Sequence, residues 1–237
     1  MPLRRRYING PAGRGIDLNG AAFYAPLWRP DLGVAPGGTF KSLDKYGHTC
    51  TVTGATWGYQ GRIFDGNDDN ISCGDVTALN GATAFTIICW FNQDIIDQND
   101  TLFKKYTDAD NRIYLATIAS DGSTRFYICN AANTYGSFDY STVITAGKWH
   151  HLVTYYNGAG ANNSAKMKIY VDTVEVTLGF GAMTIPTTTA DLSTKAFLLG
   201  DTAGALDGVI GEMLIYNRAL GVNELTRHYQ ATKWRYS

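Results

Sequence analysis

The sequence predicts an all-β fold, two antiparallel sheets packed face to face with one short helix near the C-terminus, and three observations predict it. Short apolar or alternating runs are separated again and again by clusters of Gly, Asn, Asp and Ser, the rhythm of strands joined by turns. The 15 Tyr, 10 Phe and 5 Trp are residues that favour a pleated, half-buried surface. Only one stretch carries helical apolar spacing. A chain of 237 residues is within the size of a single sandwich, and 45% apolar against 17% charged residues argues for one well-buried core and against disorder.

In chain order, runs rich in β-branched and aromatic residues predict strands at 22–28, 49–57, 83–92, 100–106, 111–119, 124–130, 150–157, 165–171, 196–200 and 208–216. Within TRFYICN, Phe126 and Ile128 share the phase expected to face the core, and Arg125, Tyr127 and Cys129 share the outward phase. RIYLATI does not resolve its phase. Pro and Gly content makes 30–38 a loop, and GAGANNS at 158–164 reads as a hairpin tip. The helix is expected within 221–234, where Leu225, His228 and Tyr229 stand at i, i+3 and i+4.

The net charge of −1 points to neither nucleic acid nor an anionic membrane as partner. Residues 1–20, by contrast, hold Arg4, Arg5, Arg6 and Arg14 against Asp17 alone. They read as a basic arm ahead of one domain over 21–237, either a docking arm for an acidic partner or neighbouring subunit or a solvated terminus. Cys50, Cys73, Cys89 and Cys129 lie far apart with no zinc spacing, and reduced thiols are expected over a disulfide framework. The first residues lack an apolar stretch of signal-peptide length, and nowhere do about 18 apolar residues run together. The expectation is a protein made in the cytoplasm, without membrane insertion, that is associated with a virus or phage particle or released by lysis.

Five signatures in order, over 21–229, carry a family resemblance: FYAPLW leading to DKYGHTCTVTGATW, GRIFDGNDDNI, GKWHHLVTYYNG, KIYVDTVEV and GVIGEMLIYNRALGVNEL. The chain resembles the laminin-G-like, concanavalin-A-like lectin/glucanase family, whose pentraxin-like fold is a two-sheet antiparallel jelly roll. The resemblance implies a buried Trp149 at a strand start, structural roles for His150 and His151, and Phe64 plugging the core. It also implies Leu214, Tyr216 and Leu220 closing the sandwich. Relatives often hold calcium, which maps here to Asp65, Asn67, Asp68 and Glu212 as a structural site. Hard oxygens of this kind suit calcium, while the same DGNDDN run also suits a polar turn. The sequence departs from the family where Gly211 precedes Glu212 and where Asp172 is followed by Thr173. Asp108 and Asp110 form a second acidic loop.

The catalytic inventory is thin. Glycosidases need two carboxylates flanking the scissile bond, and the three glutamates Glu175, Glu212 and Glu224 stand far apart. No GxSxG, HExxH or GxxxxGK[ST] pattern occurs. A non-enzyme is expected. Sugar binding needs aromatic platforms beside amide and carboxylate groups; Tyr106, Tyr127, Tyr135 and Tyr140 with Asn111 and Asn130 are the candidates, and NAANTYGSFDY reads as a rim loop. The leading expectation is a carbohydrate-binding or adhesion module, with surface glycans or particle proteins as partners and homo-oligomers possible. The alternatives are a purely structural virion protein and, less favoured, a glycan hydrolase.

Overall fold

The computed structural model describes residues 7–8, 15–96, 99–117, 123–130, 134–140, 144–181 and 183–237, with side chains for all but 7–8 and 134–140. The chain begins β1 (Tyr7–Ile8), β2 (Ile16–Asp17), β3 (Ala21–Ala25), β4 (Thr39–Lys41), β5 (Thr49–Thr53) and β6 (Thr56–Gly58). It continues through β7 (Gly61–Asp65), β8 (Asn70–Ser72), β9 (Ala84–Gln93), β10 (Thr101–Asp108), β11 (Asn111–Thr117) and β12 (Thr124–Asn130). Then come β13 (Thr134–Tyr140), β14 (Trp149–Asn157), the single turn α1 (Asn163–Lys166), β15 (Met167–Val171) and β16 (Val174–Glu175). The last elements are β17 (Phe197–Gly200), β18 (Asp207–Tyr216) and α2 (Val222–Thr232).

The strands form two large antiparallel sheets. The first has the order β13-β12-β11-β10-β17-β8-β5-β4, and the second β16-β15-β14-β9-β18-β7-β6 with β3 also on β18. Strands distant in sequence are neighbours, as β10 beside β17 and β9 beside β18, which is the jelly-roll sandwich the sequence predicted. Between the sheets lies the main core, with Phe23, Phe64, Phe85, Phe103, Phe126 and Phe197 almost fully buried.

A second apolar cluster, including Tyr24, Ile88, Val153, Leu214, Leu220 and Leu225, covers the outer side of the second sheet beneath α2. That sheet is therefore buried on both faces, and β9 and β18 read as nearly continuous buried runs. The first sheet is fully buried on its core face and, among the described residues, only partly on the other, where Ala116 and Cys129 are buried. Its β5 alternates strictly between exposed Thr and buried Cys50 or Val52. Among the described residues its outer face is open at Lys41, Thr49, Thr51, Thr53 and Tyr106.

Several sequence expectations change. The predicted strand over 49–57 is two, because the chain turns at Gly54, with φ of +73°, and passes from the first sheet (β5) to the second (β6). GRIFDGNDDNI likewise splits into β7 and β8 in different sheets. The start of the predicted strand at 165 is a helical turn, where the Asn162 side chain accepts a hydrogen bond from Ala165 N at 2.9 Å. Cys129, although in the outward phase, is fully buried, and all four cysteines are buried free thiols. The expected rim loop is largely β13, paired along its length with β12. Among the described residues no helix is long and apolar enough to cross a membrane.

Candidate functional site

The open face of the first sheet is built by alternation along β10, β11 and β12. Phe103 and Lys105 point inward, so Lys104 and Tyr106 point outward. Ile113 and Leu115 fill the core, which leaves Arg112 and Tyr114 on the outer face; Phe126 and Ile128 do the same for Arg125 and Tyr127. Antiparallel register then lines these side chains into two neighbouring rows. Lys104 stands opposite Tyr114 and Tyr114 opposite Tyr127, while Tyr106 stands opposite Arg112.

The rows touch. The Tyr114 and Tyr127 rings lie 5.7 Å apart, and the Arg112 guanidinium sits 4.1 Å from the Tyr127 centroid. Arg112 Nε is buried without a hydrogen-bond partner among the described residues. Lys104 Nζ is 5.6 Å from the Tyr106 ring and ion-pairs with Asp201. The Tyr114 hydroxyl accepts a hydrogen bond from Thr101 Oγ1 at 3.3 Å, and burial raises its pKa. The result is a fixed aromatic floor with cationic and carboxylate groups beside it.

Of the six residues that the sequence singled out for ligand, this face brings together Tyr106 and Tyr127. Asn111 is turned into the β10–β11 hairpin, donating to both Asp108 oxygens at 2.9 and 3.2 Å. Asn130 lies in the inward phase of β12 and donates to the Thr188 carbonyl at 2.9 Å, so it ties down the 188 segment. Tyr135 and Tyr140 stand on β13 in register with Cys129 and Thr124, and their side chains lie outside the described residues. Arg4, Arg5, Arg6 and Arg14 also lie outside them. Tyr114 and Arg112 were missed. RIYLATI has apolar or long residues in both phases, and only the pairing with β10 and β12 resolves which side faces out.

The acidic residues divide. Asp65, Asp68 and Asp69 bring carboxylate oxygens within 4.8 Å of one another. Asn67 is spent inside the turn, its backbone and side-chain amides donating to Asp65 at 3.0 and 3.2 Å; these bonds hold the exposed Asp65 carboxyl below its ordinary pKa. Asp69 is buried, accepts from Asp65 N at 3.0 Å, and is raised in pKa by burial and by its two acidic neighbours. Glu212 does not join them. Asp207 is the β18 residue paired with Asp65, and Glu212 lies five positions further, past a bulge, about 16 Å along the strand.

Glu212 is buried on the α2 side instead. It accepts from the Tyr24 hydroxyl at 3.3 Å, and its Oε1 lies 3.1 Å from His228 Nε2. His228 Nδ1 is in turn 3.0 Å from His151 Nε2. The other glutamates are held by cations, Glu175 by Lys168 at 2.9 Å and Glu224 by Arg218 at 2.8 Å. His150 is equally engaged, its Nδ1 2.9 Å from Asp172.

An antiparallel jelly-roll sandwich with one open sheet face is the architecture of lectin-like modules, and the sequence agrees. Residues 65–226 match the Laminin_G_3 family, described as the concanavalin A-like lectin/glucanases superfamily, and the chain belongs to it. No curated protein is significantly similar in sequence. Among solved structures, Trypanosoma rangeli sialidase in complex with the inhibitor DANA is similar at 14% identity and a TM-score of 0.68, over 97% of this chain. This chain spans only 36% of the sialidase's length. Domain 4 of AbnA, a GH43 extracellular arabinanase from Geobacillus stearothermophilus solved with arabinotriose, is similar at 19% identity and a TM-score of 0.59. There the match covers 87% of this chain and 96% of that domain. At these identities the likeness is one of fold.

Proposed function

We propose that this protein is a non-catalytic carbohydrate-binding module that holds its glycan on the open face of the first sheet. The observation that carries the reading is the Tyr114–Tyr127 pair with Arg112 laid over Tyr127, flanked by Tyr106 and Lys104. Aromatic rings offer their negative faces to sugar C–H groups, and guanidinium, ammonium and carboxylate groups bond the hydroxyls. The non-catalytic part is supported by the three glutamates, two neutralised by cations and one buried. A complex of the whole-length AbnA domain with an oligosaccharide is in keeping with it.

The test is a glycan array followed by titration of any hit. Tyr127→Ala and Arg112→Ala should each weaken binding by about tenfold or more without moving the melting temperature. Absence of any hit with the wild-type chain, with or without calcium, would sink the proposal.

Two finer readings belong with it. The Asp65, Asp68 and Asp69 carboxylates are hard oxygens of the kind calcium takes, and a cation there would relieve their mutual repulsion. A melting temperature that rises with calcium in the wild type but not in Asp69→Asn supports a structural ion, and equal curves in both remove it. The role of particle component rests on the basic arm. Deleting residues 1–14, which removes all four arginines and keeps the packed Ile16 and Leu18, should abolish assembly while sparing glycan binding, and unchanged assembly would refute it.

A further inference from the structure

The outer side of the second sheet carries a pocket of about 740 Å³, on the opposite side of the sandwich from the open face. Trp90 and Tyr236, both almost wholly buried, make its floor; Trp149, Tyr229 and Trp234 make its walls. The rings are held before any ligand arrives. Trp90 stacks on Tyr229 at 5.6 Å and on Tyr236 at 4.6 Å, and Tyr236 lies 4.6 Å from Trp149. The indole N–H of Trp90 donates to Thr232 Oγ1 at 2.8 Å, and that of Trp234 to the Ala231 carbonyl at 2.9 Å. Trp234 nevertheless leaves 46% of its surface exposed.

Four polar residues complete the lining, Asp172, Gln230, Lys233 and Ser237. Asp172 is fixed by His150 Nδ1 at 2.9 Å and by the backbone N–H of His151 at 2.9 Å, yet its side chain remains 38% exposed. An aromatic-lined pocket in the range of roughly 300–1,000 Å³ with a few oriented polar groups is the usual form of a small-ligand site.

The lining also selects the ligand's chemistry. A quaternary ammonium would seek the ring faces and meet like charge there, from Lys233 Nζ 5.6 Å from the Tyr229 centroid and the Arg235 guanidinium 4.4 Å from that of Trp234, a repulsion that an uncharged ligand does not feel. An acyl chain would desolvate the Gln230 amide and the Lys233 ammonium without offering either a hydrogen bond, at a cost. Among the lining side chains one carboxylate, Asp172, and one ammonium, Lys233, balance, so these side chains give a ligand charge of either sign little net attraction. What remains is an uncharged molecule with apolar C–H faces and a hydroxyl rim.

We propose that this pocket is a second saccharide site, taking a neutral sugar unit between Trp149, Tyr229 and Trp234 with hydroxyls bonded to Asp172, Gln230 and Lys233. It stands independently of the open-face reading and would make the module bivalent. Two sites on opposite sides would let one molecule bridge two glycan chains.

Fluorescence separates the two sites. Three of the chain's five tryptophans line the pocket, whereas the described aromatic residues of the open-face rows are tyrosines. Titration with neutral gluco-, xylo-, manno- and arabino-oligosaccharides should saturably change tryptophan emission for at least one of them. Trp234→Ala should weaken that sugar by about tenfold or more, Trp234→Phe should recover most of it, and Tyr127→Ala should leave the signal intact. Gln230→Ala gives a second, milder variant should Trp234→Ala lose its native circular dichroism. The proposal is overturned if none of these sugars perturbs the emission, if Tyr127→Ala removes the response while Trp234→Ala and Gln230→Ala spare it, or if tetramethylammonium or decanoate saturates the pocket and the sugars do not.

Discussion

Lys105 illustrates how a single residue departs from its expected surface position. It sits on β10 in the inward phase, its side chain fully buried, and its ammonium bonds to Asp75, to Asn80 Oδ1 at 2.7 Å and to the Val76 carbonyl at 3.4 Å. Burial pulls its pKa below the ordinary lysine value against the pull of Asp75. Removing the partner is costlier than removing the charge, because it leaves a buried cation uncompensated. Asp75→Ala should cost about 2 kcal/mol, reduced from the cost of a fully buried pair because Asp75 is partly exposed, while Lys105→Met, which leaves no buried charge and a carboxylate that solvent reaches, should cost less. Urea denaturation of both variants checks this, and equal losses would contradict it. Gly211 is a second such residue. A side chain there would meet the Tyr236 ring at 2.4 to 2.8 Å, which explains why the chain departs from its family with a glycine before Glu212. Gly211→Asp should displace Tyr236, lower the melting temperature, and red-shift the emission of Trp90 as its cover is lost.

At the scale of elements, the turn between β5 and β6 and the docking of α2 bear the main constraints. Gly54 has a left-handed φ, and a Cβ there would fall 1.6 Å from an Asp69 carboxylate oxygen. Gly54→Ala should therefore destabilise by more than about 1 kcal/mol, since both the backbone conformation and the space forbid a side chain, and thermal melts would read it. Helix α2 is seated through His228 on His151 and Glu212. Burial, and then His228, depress the His151 pKa well below the ordinary histidine value. The unfolded chain then binds a proton that the folded one refuses, so this contribution to stability is complete above about pH 6.5 and is lost as pH falls toward the folded pKa. His151→Phe should flatten the stability profile between about pH 7 and 5 relative to wild type. A parallel decline in both proteins would refute the assignment.

The whole molecule is organised by one doubly covered sheet. The second sheet packs the main core on one side and α2 with Ile16 and Leu18 on the other, so neither apolar cluster can be exposed without stripping that sheet. Unfolding should be a single cooperative transition with matching calorimetric and van't Hoff enthalpies. A separate early transition for α2 would show that the outer cluster is an independent unit.

The sequence by itself determined the fold class, the C-terminal helix and the family, because these depend on local alternation, turn residues and ordered motifs such as GKWHHLVTYYNG. It also determined that Phe126 and Ile128 face the core, since alternation needs only neighbours in the chain. Tertiary structure alone decided the sites. Arg112 and Tyr114 joined Tyr127 through cross-strand register, and Glu212 was drawn away from Asp65 by its position along β18. Asn111 and Asn130 were claimed by backbone and hairpin partners. The aromatic pocket gathers side chains from β9, β14, the turn after β15 and the segment from α2 onward, positions more than 140 residues apart at the extremes. Spacing along the chain carries no record of such convergence, because long-range pairing of strands and the docking of α2 create it.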